Sequence, residues 1–157
     1  MQKITPFLWF HDQAEEAMLH YVSIFKNSSV DSITRFPEGT PELAGKAIVA
    51  SFTHDGSAYM AMNGGPQFTI NEAISFVVMC EDQAEVDYMW EKLTEGGTAV
   101  QCGWLKDKYG LSWQVVPAAL MQLMGSPDHA KAQRVMEAML KMRKIDIQTL
   151  QEAHDQK

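Results

Sequence analysis

A chain of 157 residues is near the commonest size for one compact domain and can bury a sizeable core. Its 20 acidic and 13 basic residues give a formal net charge of −7, and its one basic cluster is "KMRK" at 141–144, so a phosphate-binding face and a nucleic-acid partner are excluded. No apolar run approaches the roughly 18–20 residues that span a bilayer, and the N-terminal residues lack a cleavage pattern, which leaves no membrane role and a cytoplasmic expectation.

The first elements follow from periodicity. "ITPFLWF" at 4–10 is an apolar run that predicts a strand. "DQAEEAMLHYVSIF" then places Ala14, Met18, Tyr21, Val22 and Phe25 on one helical face, with Asp12 as the predicted N-cap and Glu15 three residues on, ending near Asn27. Strands are predicted at 30–36, 47–54 and 57–63. The last two are joined through Asp55-Gly56, a two-residue hairpin signal, and "PEGTPELAGK" forms a mobile loop before them.

The tetrapeptide Asp-Gln-Ala-Glu then recurs. It begins at Asp12 and again at Asp82, each time after an apolar run, the second being "AISFVVMC" at 73–80. The second helix, capped by Asp82, carries Val86, Met89, Trp90 and Leu93 on one face and stops at Gly96-Gly97. Short strands follow at 98–101, 103–107 and 111–116. Matching order and flanks make duplication the reading: residues 3–63 form one β-α-β-β-β module, 64–72 a linker and 73–116 the second module, within a single domain 1–157. Around the last hairpin, Asp107 to Gly110 serve the turn, Lys106 and Asp107 are solvated, and Trp104 and Trp113 pack.

Residues 117–154 read as a helical tail. Pro117 opens a short helix, Ser126-Pro127 caps a longer one to about Met142, and Asp146 starts a last helical stretch. Val135, Met139, Met142 and Ile145 form one apolar stripe, and five of the 11 methionines lie between Met121 and Met142. Cys80 and Cys102 make no CxxC pair or zinc spacing, and Cys80 reads as a small buried hydrophobe.

"DQAEEAMLHYVSIF", "GGPQFTINEAISFVV", "QCGWLKDKYGLSWQVVP" and "VMEAMLKMRKIDIQTL" resemble the PhnB-like branch of the vicinal oxygen chelate superfamily. That superfamily includes glyoxalases, extradiol dioxygenases and bleomycin-resistance proteins, and the branch carries a demethylubiquinone methyltransferase label. The resemblance runs over about residues 3–153. It implies an α+β fold in which two tandem β-α-β-β-β modules curve their sheets around a cavity, and commonly a homodimer. Metal-using members place ligands where this chain has Thr5, Ser75 and Gln114, with a further ligand falling at Tyr59 to Asn63, where neither a carboxylate nor a His stands. Hydroxyls and an amide are poor ligands for a divalent transition metal, so no metal and no cofactor are expected. No pair of the five histidines has ligand spacing; His54, beside Asp55, is the one to watch. Neither Gly64-Gly65 nor Gly96-Gly97 has the G-x-G spacing of a nucleotide-type cofactor site.

Strand alternation sets the remaining candidates. Thr5 shares a face with Phe7 and Trp9, Ser75 with Val77 and Met79, and Gln114 with Ser112 and Val116; Asn63 joins them from the fourth strand. Apolar walls with a few neutral polar groups describe a small-molecule site. The expectation is a metal-independent binding protein for a partly apolar or aromatic ligand. The alternative is a divergent enzyme, either a metal-dependent isomerase or dioxygenase or a transferase.

Overall fold

The computed structural model describes residues 2–156, and the chain divides into two compact units, Met1–Ile70 and Asn71–Lys157. The fold is α+β, and each unit carries one four-stranded mixed sheet with one helix packed on it. Among the described residues no helix is long and apolar enough to cross a membrane.

In the first unit β1 (Phe7–Phe10), α1 (Ala14–Ile24), β2 (Ser29–Arg35), β3 (Ala47–His54) and β4 (Ser57–Asn63) form a sheet of order β1-β4-β3-β2. β1 runs parallel to β4 and hence to β2 at the other edge, so the connection from β1 to β2 must cross over; α1 makes that crossover and lies on one face. Leu8, Phe10, Ala50, Phe52 and Ala61 meet the buried Ala14, Ala17, Met18, Tyr21 and Ile24 of the helix. Each large side chain so buried contributes about 1.5–3 kcal/mol. β3 and β4 turn at Asp55-Gly56, with φ of 48° and 73°, the left-handed pair that a two-residue hairpin needs. The loop 37–46 closes through backbone bonds such as Phe36 N–H to Lys46 O at 2.9 Å.

The second unit repeats the plan with β5 (Ser75–Cys80), α2 (Gln83–Thr94), β6 (Thr98–Ala99), β7 (Trp104–Lys106) and β8 (Ser112–Pro117), in the order β5-β8-β7-β6. Phe76, Val78, Cys80, Leu105, Trp113 and Val115 share the helix face by register. Val86, Met89 and Leu93 pack from α2.

Two local expectations change. Asp12 does not cap α1, whose first residue Ala14 donates its N–H to the Asn63 side chain at 2.8 Å. Asp107 is buried at 3% exposure instead of solvated: its carboxylate accepts from the N–H groups of Tyr109 and Leu111 and from the Trp113 indole at 2.8 Å. It forms the interior of the hairpin turn.

The tail holds α3 (Ala118–Met124), α4 (His129–Met139) and α5 (Ile147–Asp155). Pro117 both ends β8 and stands at the N-cap of α3, where a short helix was expected to open, and Asp128, not Ser126-Pro127, caps α4. Val135, Ile145 and Leu150 cluster with Val116 and Leu120, and Met139 and Met142 pack against them, so the methionine stripe is core. The turn-and-bend strap between α4 and α5 is tied to the second unit. Cys102 and Gly103 donate to the carbonyls of Met142 and Arg143 at 2.9 and 2.7 Å. Gln83 donates to Ile145 O at 3.1 Å and accepts from Ile147 N–H at 2.8 Å.

Candidate functional site

Each sheet has a second face that its own helix does not cover. In the second unit the register aligns Ser75 with Ser112, Val77 with Gln114 and Met79 with Val116, so these six residues share that face, with Val116 buried there in the cluster of the tail. The Gln114 amide donates to Ser75 Oγ at 2.9 Å, and its oxygen has no partner among the described residues. Val77 and Met79 are each 52% exposed, a large apolar surface to leave in water, whereas Ser112 is buried. Trp104 pairs with Gln114 and Lys106 with Ser112, which puts the Trp104 indole on this face. Trp113 lies on the other. Lys106 forms an ion pair with Glu72 and holds its carboxyl below the usual range.

In the first unit Phe7 and Trp9 occupy the open face opposite α1, aligned with Met60 and Met62 of β4. Thr5 lies two residues ahead of β1 and is half-buried. Asn63 stands apart from the other candidates. It pairs with Phe10 on the helix side, and its side chain is consumed by Ala14 N–H and by Ala47 O at 2.9 Å. The residues that sequence reasoning passed over are Met60, Met62 and Trp104. Alternation within "SAYMAMN" and "WLK" carried that information once the hairpin registers were known.

The donor chemistry can be tested against the groups that the fold family implies. At the ligand positions stand a hydroxyl, a second hydroxyl and an amide, two of them bonded to each other. This set does not suit a divalent metal. Among the described residues no group of three or more His, Cys, Asp or Glu is placed to hold one. A methyl-donor site of the nucleotide-binding type fits no better, because both glycine pairs serve chain packing. A Cβ at Gly64 would lie 2.2 Å from the Trp9 ring, and one at Gly97 would lie 2.2 Å from Lys106 O.

The conspicuous titratable groups lie away from the open faces. His54 is buried on the helix face among Phe25, Tyr21 and Tyr59, its ring centroid 3.8 Å from that of Phe25. Burial pushes its pKa down to about 4, against the opposing pull of Asp55. Cys80 is buried, and its thiol is pushed up to about 12, chiefly by desolvation and further by Glu85 and Asp82, which makes it inert at neutral pH.

Comparison with known proteins agrees with this geometry. Residues 2–116 match the 3-demethylubiquinone-9 3-methyltransferase family, which takes in both modules and stops short of the tail. A Bacillus cereus PhnB protein, described as a 3-demethylubiquinone-9 3-methyltransferase, is 40% identical, covering 74% of this chain and 100% of its own at a TM-score of 0.70. A Pseudomonas aeruginosa protein is 22% identical over 74% of this chain and 98% of its own, with a TM-score of 0.62. The fosfomycin resistance protein FosX of Listeria monocytogenes is 13% identical over 77% of this chain and 94% of its own, at a TM-score of 0.53. The last two are likenesses of fold alone. No curated protein matches the chain. With its paired modules and this family match, the chain belongs to the PhnB-like, 3-demethylubiquinone-9 3-methyltransferase family.

Proposed function

We propose that this chain is a small-molecule binding protein that works without a metal and takes a partly apolar or aromatic ligand on its open sheet faces. The observation that carries this reading is the Gln114–Ser75 pair, a neutral amide and hydroxyl beside the exposed Val77 and Met79, where metal-using relatives would need anionic or imidazole ligands. Thr5, Phe7, Trp9, Ser75, Val77, Met79, Ser112 and Gln114 are the proposed contacts. A homodimer and a cytoplasmic location belong to the same proposal.

Native mass spectrometry of the purified protein, paired with elemental analysis, tests it. A retained organic mass without stoichiometric metal is the expected result, and stoichiometric metal would overturn the metal-free form. The second reading is an enzyme, favoured by the methyltransferase description of the family. Methyl transfer from S-adenosylmethionine, or a thermal shift on adding it, would establish that reading over ours.

A further inference from the structure

We infer that the first unit carries an aromatic slot, formed by Trp9 and Phe68, that takes a neutral planar aromatic group and is closed by the linker. The inference rests on the small-molecule reading above and names the ligand class and the closing element.

The residues come together as follows. After β4 the chain crosses the indole of Trp9: Gly64 N–H donates to Phe10 O at 2.8 Å, and Trp9 Nε1 donates to Gly65 O at 3.0 Å. A Cβ at Gly64 would sit 2.2–2.6 Å from three ring atoms of Trp9, so only glycine lets the backbone pass this close. The indole is thereby fixed in orientation from one side. Three residues later Phe68 meets it edge-on, with ring centroids 5.0 Å apart and planes at 76°.

Phe68 is held by little else. It is 59% exposed, and among the described residues no hydrogen bond ties Pro66–Ile70 to the fold. A large aromatic ring kept in water on an untethered segment, touching one other aromatic, is costly unless something else comes to cover it. Phe7, 49% exposed, together with Met60 and Met62 continues the surface. These five side chains carry no charge, so an ionic ligand would lose its hydration there without compensation. A flat neutral ring exchanges one edge contact for contacts with both aromatics, and the linker moves with Phe68 to admit it.

The test is titration of the full chain with N-phenyl-1-naphthylamine, a neutral aromatic whose emission rises in apolar surroundings. Wild type should bind it, Phe68→Ala should weaken binding about tenfold, the upper end for one lost aromatic contact, and Trp9→Phe should remove the energy transfer from Trp9 to the probe. Phe68 is exposed, so its variant keeps the fold even if a Trp9 variant does not. Unchanged binding and energy transfer in both variants, with loss in Gln114→Ala, would overturn the slot and leave the small-molecule reading standing. No binding by wild type would overturn the aromatic class, and a purified protein that also retains no organic mass would take the small-molecule reading with it.

Discussion

The two modules begin their helices with the same four residues and use them differently. In the second, Asp82 accepts the Glu85 N–H at 2.9 Å and Glu85 accepts the N–H of Glu81, so the helix start is closed locally. In the first, Asp12 makes no cap. Asn63, 49 residues from Ala14, satisfies the helix start, and Glu15 turns outward to a bidentate pair with Arg35 of β2 at 2.7 Å. Gln83 grips the tail strap with both ends of its amide, while its counterpart Gln13 lies exposed. A duplicated backbone keeps its path, and its polar side chains follow whatever partners each copy brings within reach.

The comparison can be broken most forcefully at the hairpins. Asp107→Ala would strand three buried donors in the second unit, and we expect a loss of about 4 kcal/mol, each orphaned group costing roughly 1–3 kcal/mol. At the matching turn of the first unit, Asp55→Asn should cost under about 0.5 kcal/mol, because Asn tolerates the same left-handed backbone. Urea unfolding followed by tryptophan emission, which weights Trp90, Trp104 and Trp113 of the second unit, would separate the two; equal losses would refute the asymmetry.

Between pH 6.5 and 4, acid should then act chiefly on the first unit, through His54. His54 has a folded pKa of about 4 against about 6.5 unfolded, so the unfolded chain takes up the proton first. Stability is full above pH 6.5 and is lost as pH falls toward 4, by about 1.4 kcal/mol per unit and about 3 kcal/mol in all. The carboxylates whose pKa values are lowered, such as Glu15, lose their contributions at still lower pH. Thermal unfolding between pH 6.5 and 4.5 should therefore slope in wild type and flatten in His54→Phe. A slope unchanged in the variant would remove His54 from the account.

The smallest effects are at the helix starts. Asn63→Ala and Asp82→Ala should each cost about 1 kcal/mol, the usual worth of a cap, and Asp12→Ala should stay within about 0.5 kcal/mol. Gln83→Ala should exceed Gln13→Ala for the same reason, and the ranking is read by urea midpoints. A costly Asp12→Ala would mean that the tetrapeptide works alike in both copies.

Much of the fold was legible because its signals are local. β3 and β4 fall at the residues that alternation predicts, and Asp55-Gly56 turns where a two-residue hairpin should. What was not legible depends on distant partners. Nothing within a helix-length window says that Asn63 will replace Asp12, or that the Trp113 indole will draw Asp107 inward. The facing of Trp104 depends on pairing with Gln114 across a hairpin, which no local pattern in the sequence carries. The open face of the second unit, by contrast, followed from alternation along β5 and β8, and Ser75, Val77, Met79 and Gln114 share it as the period of two requires.

The seam at Val116-Pro117 has a consequence for how such a chain is built. The family match ends at Val116, and Pro117, paired with Cys80 as the last residue of β8 but with no N–H to give, passes the chain to α3. Beyond it the tail is held by sockets inside the matched core: the fork of Gln83, and the bare backbone of Gly103, where a Cβ would come within 3.2 Å of Ile145. The receptacle of the tail thus lies within residues 2–116. The tail therefore depends on a glutamine, a glycine and the β8 residue Val116, whose side chain belongs to the tail's own core.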